Sequence, residues 1–166
     1  MAALIPSGVA CGNKVPTILF PDDPSEDRLL VWTAIANSFV FDWMLRRVLT
    51  TTVNYFLLQS VPLPKLTKDG LPWKKILSAA RELHLLDKAG SSRETYERMV
   101  QLRGDVDAEV AVAYGLDLDD MELVLGDFPL LDRGQIALPG EVKSTITRDT
   151  VLAAVASPRR WLCQKC

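Results

Sequence analysis

The sequence predicts an α+β fold in two portions, a small mixed β/α portion over residues 1–70 and a helical portion over residues 71–166. Three observations carry this expectation. Two short strand-like apolar runs, Ala2 to Ile5 and Val15 to Phe20, lie among turn formers near the N-terminus. A long apolar stretch, Leu29 to Leu49, has the length and composition of a central helix. Beyond residue 70, cap residues and glycines recur at helix-length intervals.

Taken in order, Pro6-Ser7-Gly8 and Cys11-Gly12-Asn13 separate the two extended runs, and Pro21-Asp22-Asp23-Pro24 ends the second. Ser25 with Glu26 and Asp27 reads as an N-cap with acids in the first turn. The helix that follows is apolar nearly all round, which predicts a central position. Its Asn37, Ser38 and Asp42 and its terminal Arg46-Arg47 argue for a buried helix of a soluble protein over a membrane span. Thr50 to Leu58 is β-branched and aromatic and predicts extended structure, which Pro62 and Pro64 terminate. Residues 65–72 read as a loop.

Four helices are expected downstream: Trp73 to Leu86; Ser92 as cap of a helix to Tyr114, stopped by Gly115; Leu118 to Leu125 behind Asp117; and Arg148 to Ala156 behind Thr147. In the second of these, Met99, Arg103, Val106, Val110 and Ala113 share a face, and Gly104 reads as a weak point.

With 48% hydrophobic and 24% charged residues and a net charge of −2, the composition excludes disorder and a strongly basic tail. Three cysteines are too few for a disulfide scaffold, so a reducing, cytoplasmic setting is expected. The charge is nevertheless segregated. Residues 43–75 hold six Lys/Arg (Arg46, Arg47, Lys65, Lys68, Lys74, Lys75) against one acid, whereas residues 87–141 hold thirteen acids against five Lys/Arg. Trp43, Tyr55, Phe56 and Trp73 interleave the basic set, the composition of a surface that meets phosphate and stacks on bases, though such residues also decorate an ordinary solvated face.

Enzyme chemistry is sparse. No two glycines are separated by a single residue, so neither a dinucleotide loop nor a phosphate-cradling turn is encoded. The single histidine, His84, sits among leucines and lacks the partners of a general base. Cys163 and Cys166 have the spacing of a zinc half-site, with only Cys11 and His84 left to complete it. Glu141 and Lys143, with Asp127 or Asp132 upstream, form a loose nuclease-like pattern that occurs by chance in acidic chains.

Five segments, in order, resemble the C-terminal part of the large adenine-specific DNA methyltransferases of restriction-modification and phage-defence systems, the type IIG and IIL enzymes and their BREX and DISARM relatives. Ala2-Ala3-Leu4-Ile5-Pro6 with Gly8-Val9 is similar to a strand of their target-recognition region, and Asn37 to Trp43 with Leu45-Arg46 to their Asn-Ser helix. Asn54-Tyr55-Phe56 with Leu58 to Pro64 is similar to the ending of that region. Leu102 with Asp107-Ala108, then Val112 to Leu116 with Asp119-Asp120 and Leu125 to Leu130, resemble the helical tail.

The resemblance implies that residues 1–70 are a partial target-recognition region with a central apolar helix and residues 71–166 a helical C-terminal region. It implies DNA as a partner; with the basic composition of residues 43–75 the expected DNA-binding residues are Arg46, Arg47, Asn54, Lys65, Lys68, Lys74 and Lys75, with Asn37 and Asp42 as motif positions of unassigned role. It also implies S-adenosylmethionine, bound not here but by a catalytic partner or domain, because no adjacent prolines and no cofactor glycines occur in these residues. The alternative expectation is a protein-interaction subunit, or a non-functional fragment of such an enzyme, that binds no DNA itself. An independent nuclease is the third.

Overall fold

The computed structural model describes residues 2–12, 15–23, 25–50, 52–89, 92–128 and 146–157. Among them are seven helices and no strand: α1 (Glu26–Ala36), α2 (Phe39–Val48), α3 (Tyr55–Ser60), α4 (Leu71–Ala89), α5 (Arg93–Tyr114), α6 (Leu118–Gly126) and α7 (Ile146–Ala156). The expected α+β class is therefore corrected to an all-helical one for the described residues. Residues 2–5 and 15–20 are extended, but neither forms a ladder with another described segment, and a strand exists only through its neighbour.

Two further expectations change for local reasons. The apolar stretch from Leu29 is two helices, broken at Asn37-Ser38. Ser38, almost fully buried, caps α2 by accepting from Phe41 N–H at 3.3 Å while its hydroxyl donates to Ile35 C=O at 2.7 Å, closing α1 and opening α2 with one side chain. The region expected to be extended after Thr50 holds α3, because Asn54 accepts from Leu57 N–H at 2.9 Å and this cap outweighs the β-preference of Tyr55 and Phe56. On α5 and α6 the caps fall where the sequence places them, whereas α7 begins at Ile146 and takes in Thr147, the residue expected to cap it. Ser92 caps α5, Gly115 (φ 77°) ends it in the left-handed region, and Asp117 and Asp120 form a reciprocal capping box on α6.

The hub is α5. It packs on α4, α7, α1 and α2, while α6 lies against α7 and α2. Residues 106–111 are buried at every position, so the helix is enveloped there and not merely amphipathic. Arg103, expected on the apolar face, is exposed, and Leu102 takes that place. One apolar cluster joins Val31, Val40, Phe41 and Val61 to Ile76, Val110, Met121 and Val155, drawing on both sides of residue 70. No helix among the described residues is long and apolar enough to cross a membrane.

Candidate functional site

The basic residues expected to meet DNA do not form one open surface. The Arg46 guanidinium bonds Asp42 at 2.9 Å and lies over the Phe128 ring, 4.7 Å from its centroid. Arg47 lies 4.0 Å over the Trp43 ring and pairs with Asp127, whose carboxylate also accepts from Trp43 Nε1 at 2.7 Å. Both arginines thus fasten α2 to the end of α6.

Lys68 Nζ is 2.6 Å from Asp23 Oδ2, and this pairing, followed by the hydrogen bond from Ser25, lowers the Asp23 pKa to about 2. Lys75 bonds the buried Glu109 of α5 at 2.9 Å. Only Lys65 and Lys74 of the six are exposed with no acid beside them among the described residues.

The role of Lys75 has a direct consequence. Lys75→Met removes the cation that neutralises a buried carboxylate. A fully buried pair broken in this way costs about 3–5 kcal/mol, and the partial exposure of Lys75 reduces the expectation to about 1–2 kcal/mol. Urea unfolding checks this, and the double variant Lys75→Met/Glu109→Gln is expected to recover part of the loss.

Asn37 holds backbone, and so does Tyr55. Asn37 spans Ala2, accepting from its N–H at 2.7 Å and donating to its C=O at 2.8 Å. The Tyr55 hydroxyl does the same to Thr17, accepting from N–H at 2.9 Å and donating to C=O at 3.0 Å. Each extended segment is thus tied at one residue by a side chain that reproduces both hydrogen bonds of a missing strand neighbour. Asn54, expected to contact DNA, is occupied as the cap of α3. Asp42 is half-exposed and holds Arg46.

Sequence reasoning missed the most consequential polar residue. Asp107, on the enveloped part of α5, accepts from Phe39 N–H at 2.7 Å and so completes the cap of α2 from another helix. Burial raises its pKa to about 7 against the opposing effects of that hydrogen bond and of Arg103. The available signal was a carboxylate flanked by Val106 and Ala108 inside an apolar run. Tyr114 likewise donates to Pro62 C=O at 2.8 Å, and burial pushes its phenol up to about 12.

Among the described residues no group of His, Cys, Asp and Glu is arranged to hold a metal ion. Cys163, Cys166, Asp132, Glu141 and Lys143 lie outside the described residues. Asp127 is engaged by Trp43 and Arg47, and His84 is half-buried on α4. No family model, curated protein or solved structure matches the chain.

Proposed function

We propose that this chain is a target-recognition and C-terminal module of an adenine-specific DNA methyltransferase system, of the restriction-modification or phage-defence kind. In this reading the methyl-transfer chemistry, with S-adenosylmethionine, is held by a catalytic partner or domain. The observation that carries the reading is that the five separated segments of the resemblance lock onto one another. Asn37 holds Ala2, Phe39 N–H meets Asp107, Tyr114 holds Pro62, and the Phe39 and Phe128 rings meet edge to face at 5.1 Å. Residues that form one interlocking joint are those a family pattern retains together, and here they come from all five.

The DNA contact then falls on Lys65 and Lys74, the two of the six basic residues with no acid beside them among the described residues. The variant Lys65→Ala/Lys74→Ala leaves the ion pairs of the fold intact. It is expected to weaken binding to any duplex by a similar factor and to flatten the dependence of log K on log salt by about two phosphate contacts. An unchanged slope overturns DNA binding by these two lysines.

A second reading, an interaction module that binds no DNA, is favoured by one observation: four of the six cations are already matched by Asp42, Asp127, Asp23 and Glu109. A duplex affinity without salt dependence, or none at all, selects it.

A further inference from the structure

Residues 2–12 and 15–20 lie against the helices without joining their core. Ile5, Val9, Val15 and Leu19 are each at least 43% exposed, and among the described residues the apolar cluster of the helices takes no member from this part of the chain. Four hydrogen bonds connect these residues to the rest of the described chain, two between Asn37 and Ala2 and two between Tyr55 and Thr17. Their remaining backbone bonds close within three residues: Val9 N–H on Pro6 C=O, Val15 N–H on Gly12 C=O and Asp23 N–H on Phe20 C=O. All four clamping bonds are exposed, so water competes for both partners of each.

The end of the segment is fastened differently. The Arg28 guanidinium lies 4.4 Å over the Phe20 ring, which also meets the Trp32 ring edge on at 6.4 Å. Asp23, with its side chain only 17% exposed, pairs with Lys68. The turn from Phe20 to Asp23 joins the two anchors. The segment therefore has a fixed root and two weak clamps, one close to that root at Thr17 and one far from it at Ala2.

We propose that residues 2–12 and 15–19 are a strap that opens clamp by clamp, from a hinge at Phe20 to Asp23, while the helices stay packed. Segments with few buried apolar contacts and solvent-exposed backbone bonds open well below the free energy of global unfolding. The two clamps act separately. Opening at Thr17 lengthens the loop that Ala2 must close from fifteen residues to eighteen, counted back to Phe20. The closure penalty grows only with the logarithm of length, so closure at Ala2 weakens by a factor of about 1.3. An open clamp bares the Asn37 amide or the Tyr55 hydroxyl, while the hinge keeps the segment at roughly millimolar effective concentration and ready to close again. The proposal does not depend on the functional reading above.

Native-state hydrogen exchange of the full chain, read by NMR in urea below the unfolding transition, tests it. The Thr17 amide is expected to exchange through an opening that urea does not accelerate. The amides of Val106 and Val110, buried on α5, are expected to exchange with the urea dependence of global unfolding. Tyr55→Phe removes the hydroxyl and keeps the ring. It is expected to speed Thr17 exchange at least about fivefold and to leave the urea midpoint of unfolding where it was. Among the described residues the Asn37 side chain bonds only Ala2. Asn37→Ala is therefore expected to lower the heteronuclear NOE of Leu4 while Thr17 exchange stays within about twofold of the wild type. Thr17 exchange that follows global unfolding, or that already runs at the rate of an unstructured chain, overturns the proposal. So does a shift of the unfolding midpoint in Tyr55→Phe, an unchanged Leu4 in Asn37→Ala, or an Asn37→Ala variant that speeds Thr17 as much as Tyr55→Phe does.

Discussion

Replacing Asp107 with Leu is expected to destabilise the fold by about 3 kcal/mol. The side chains are similar in size, so the loss is polar: Phe39 N–H, at the start of α2, is left buried without an acceptor. That costs up to about 3 kcal/mol, the lost cap being this same hydrogen bond. Asp107→Asn is expected to behave differently, because its amide oxygen keeps the 2.7 Å bond to Phe39 N–H while the charge is gone.

The two variants separate through pH. Burial raises the Asp107 pKa from 3.8 in the unfolded chain to about 7 in the folded one. The folded state therefore holds a proton that the unfolded state has lost between these values, and stability falls as pH rises through that window. A shift of this size sets an upper limit of about 4 kcal/mol on the fall. Asp23 acts oppositely in a lower window: its pKa of about 2 contributes stability present above 3.8 and lost as pH falls towards 2. Urea unfolding of the wild type from pH 4 to pH 8 is expected to show the decline, and Asp107→Asn to remove most of it, leaving that variant the more stable at pH 8. A flat wild-type profile, or the same slope in Asp107→Asn, refutes the assignment of the titration to Asp107.

The legible elements are those that local signals determine alone. Ser92 with Gly115, and Asp117 with Asp120, are short-range devices whose hydrogen bonds close within a few residues, so α5 and α6 can be placed from the sequence. The illegible ones depend on a distant partner. Whether residues 2–5 and 15–20 become strands is decided by a neighbouring backbone, and the amide of Asn37 and the hydroxyl of Tyr55 stand where such a neighbour would be. The break between α1 and α2 was masked by continuous apolar residues on both sides of Asn37-Ser38. Its stabilising acceptor, Asp107, lies on another helix.

The surroundings of the candidate site were illegible for a related reason. Composition counts cations but not the acids that fold back onto them. Among the described residues, four of the six basic residues lie in separate ion pairs and two stand alone, and the acids matching Arg47, Lys68 and Lys75 come from distant parts of the chain. The aromatic residues did mark something real. Trp43 lies under Arg47 of the same helix, and both side chains are held by Asp127 at the end of α6, where a nucleic-acid surface would leave the ring free.

Gly104, which reads as a weak point in a helix, is expected to be among the least replaceable positions in the chain. At residue 104 the α5 backbone lies directly against Thr150 of α7. A Cβ added there would stand 2.8 Å from Thr150 Cγ2 and 3.2 Å from Thr150 C=O. The first contact involves a stiff β-branched side chain and the second a backbone atom, so neither yields by simple rotation. In an open helix Gly→Ala would stabilise by about 1 kcal/mol. Here the clash must be relieved by separating two helices whose interface buries Val106, Val151 and Val155. Overpacking of this kind costs about 1–3 kcal/mol, so Gly104→Ala is expected to destabilise by about 1 kcal/mol net and Gly104→Leu by about 3 kcal/mol or more. Thr150→Ser removes the Cγ2 methyl and keeps the hydroxyl. Combined with Gly104→Ala it is expected to recover part of the loss, although Thr150→Ser alone destabilises slightly. The coupling between the two sites, measured by a double-mutant cycle in thermal unfolding, then exceeds the error of additivity, about 0.5 kcal/mol. Additive effects, or a Gly104→Ala variant more stable than the wild type, would show that α5 and α7 do not meet at this position.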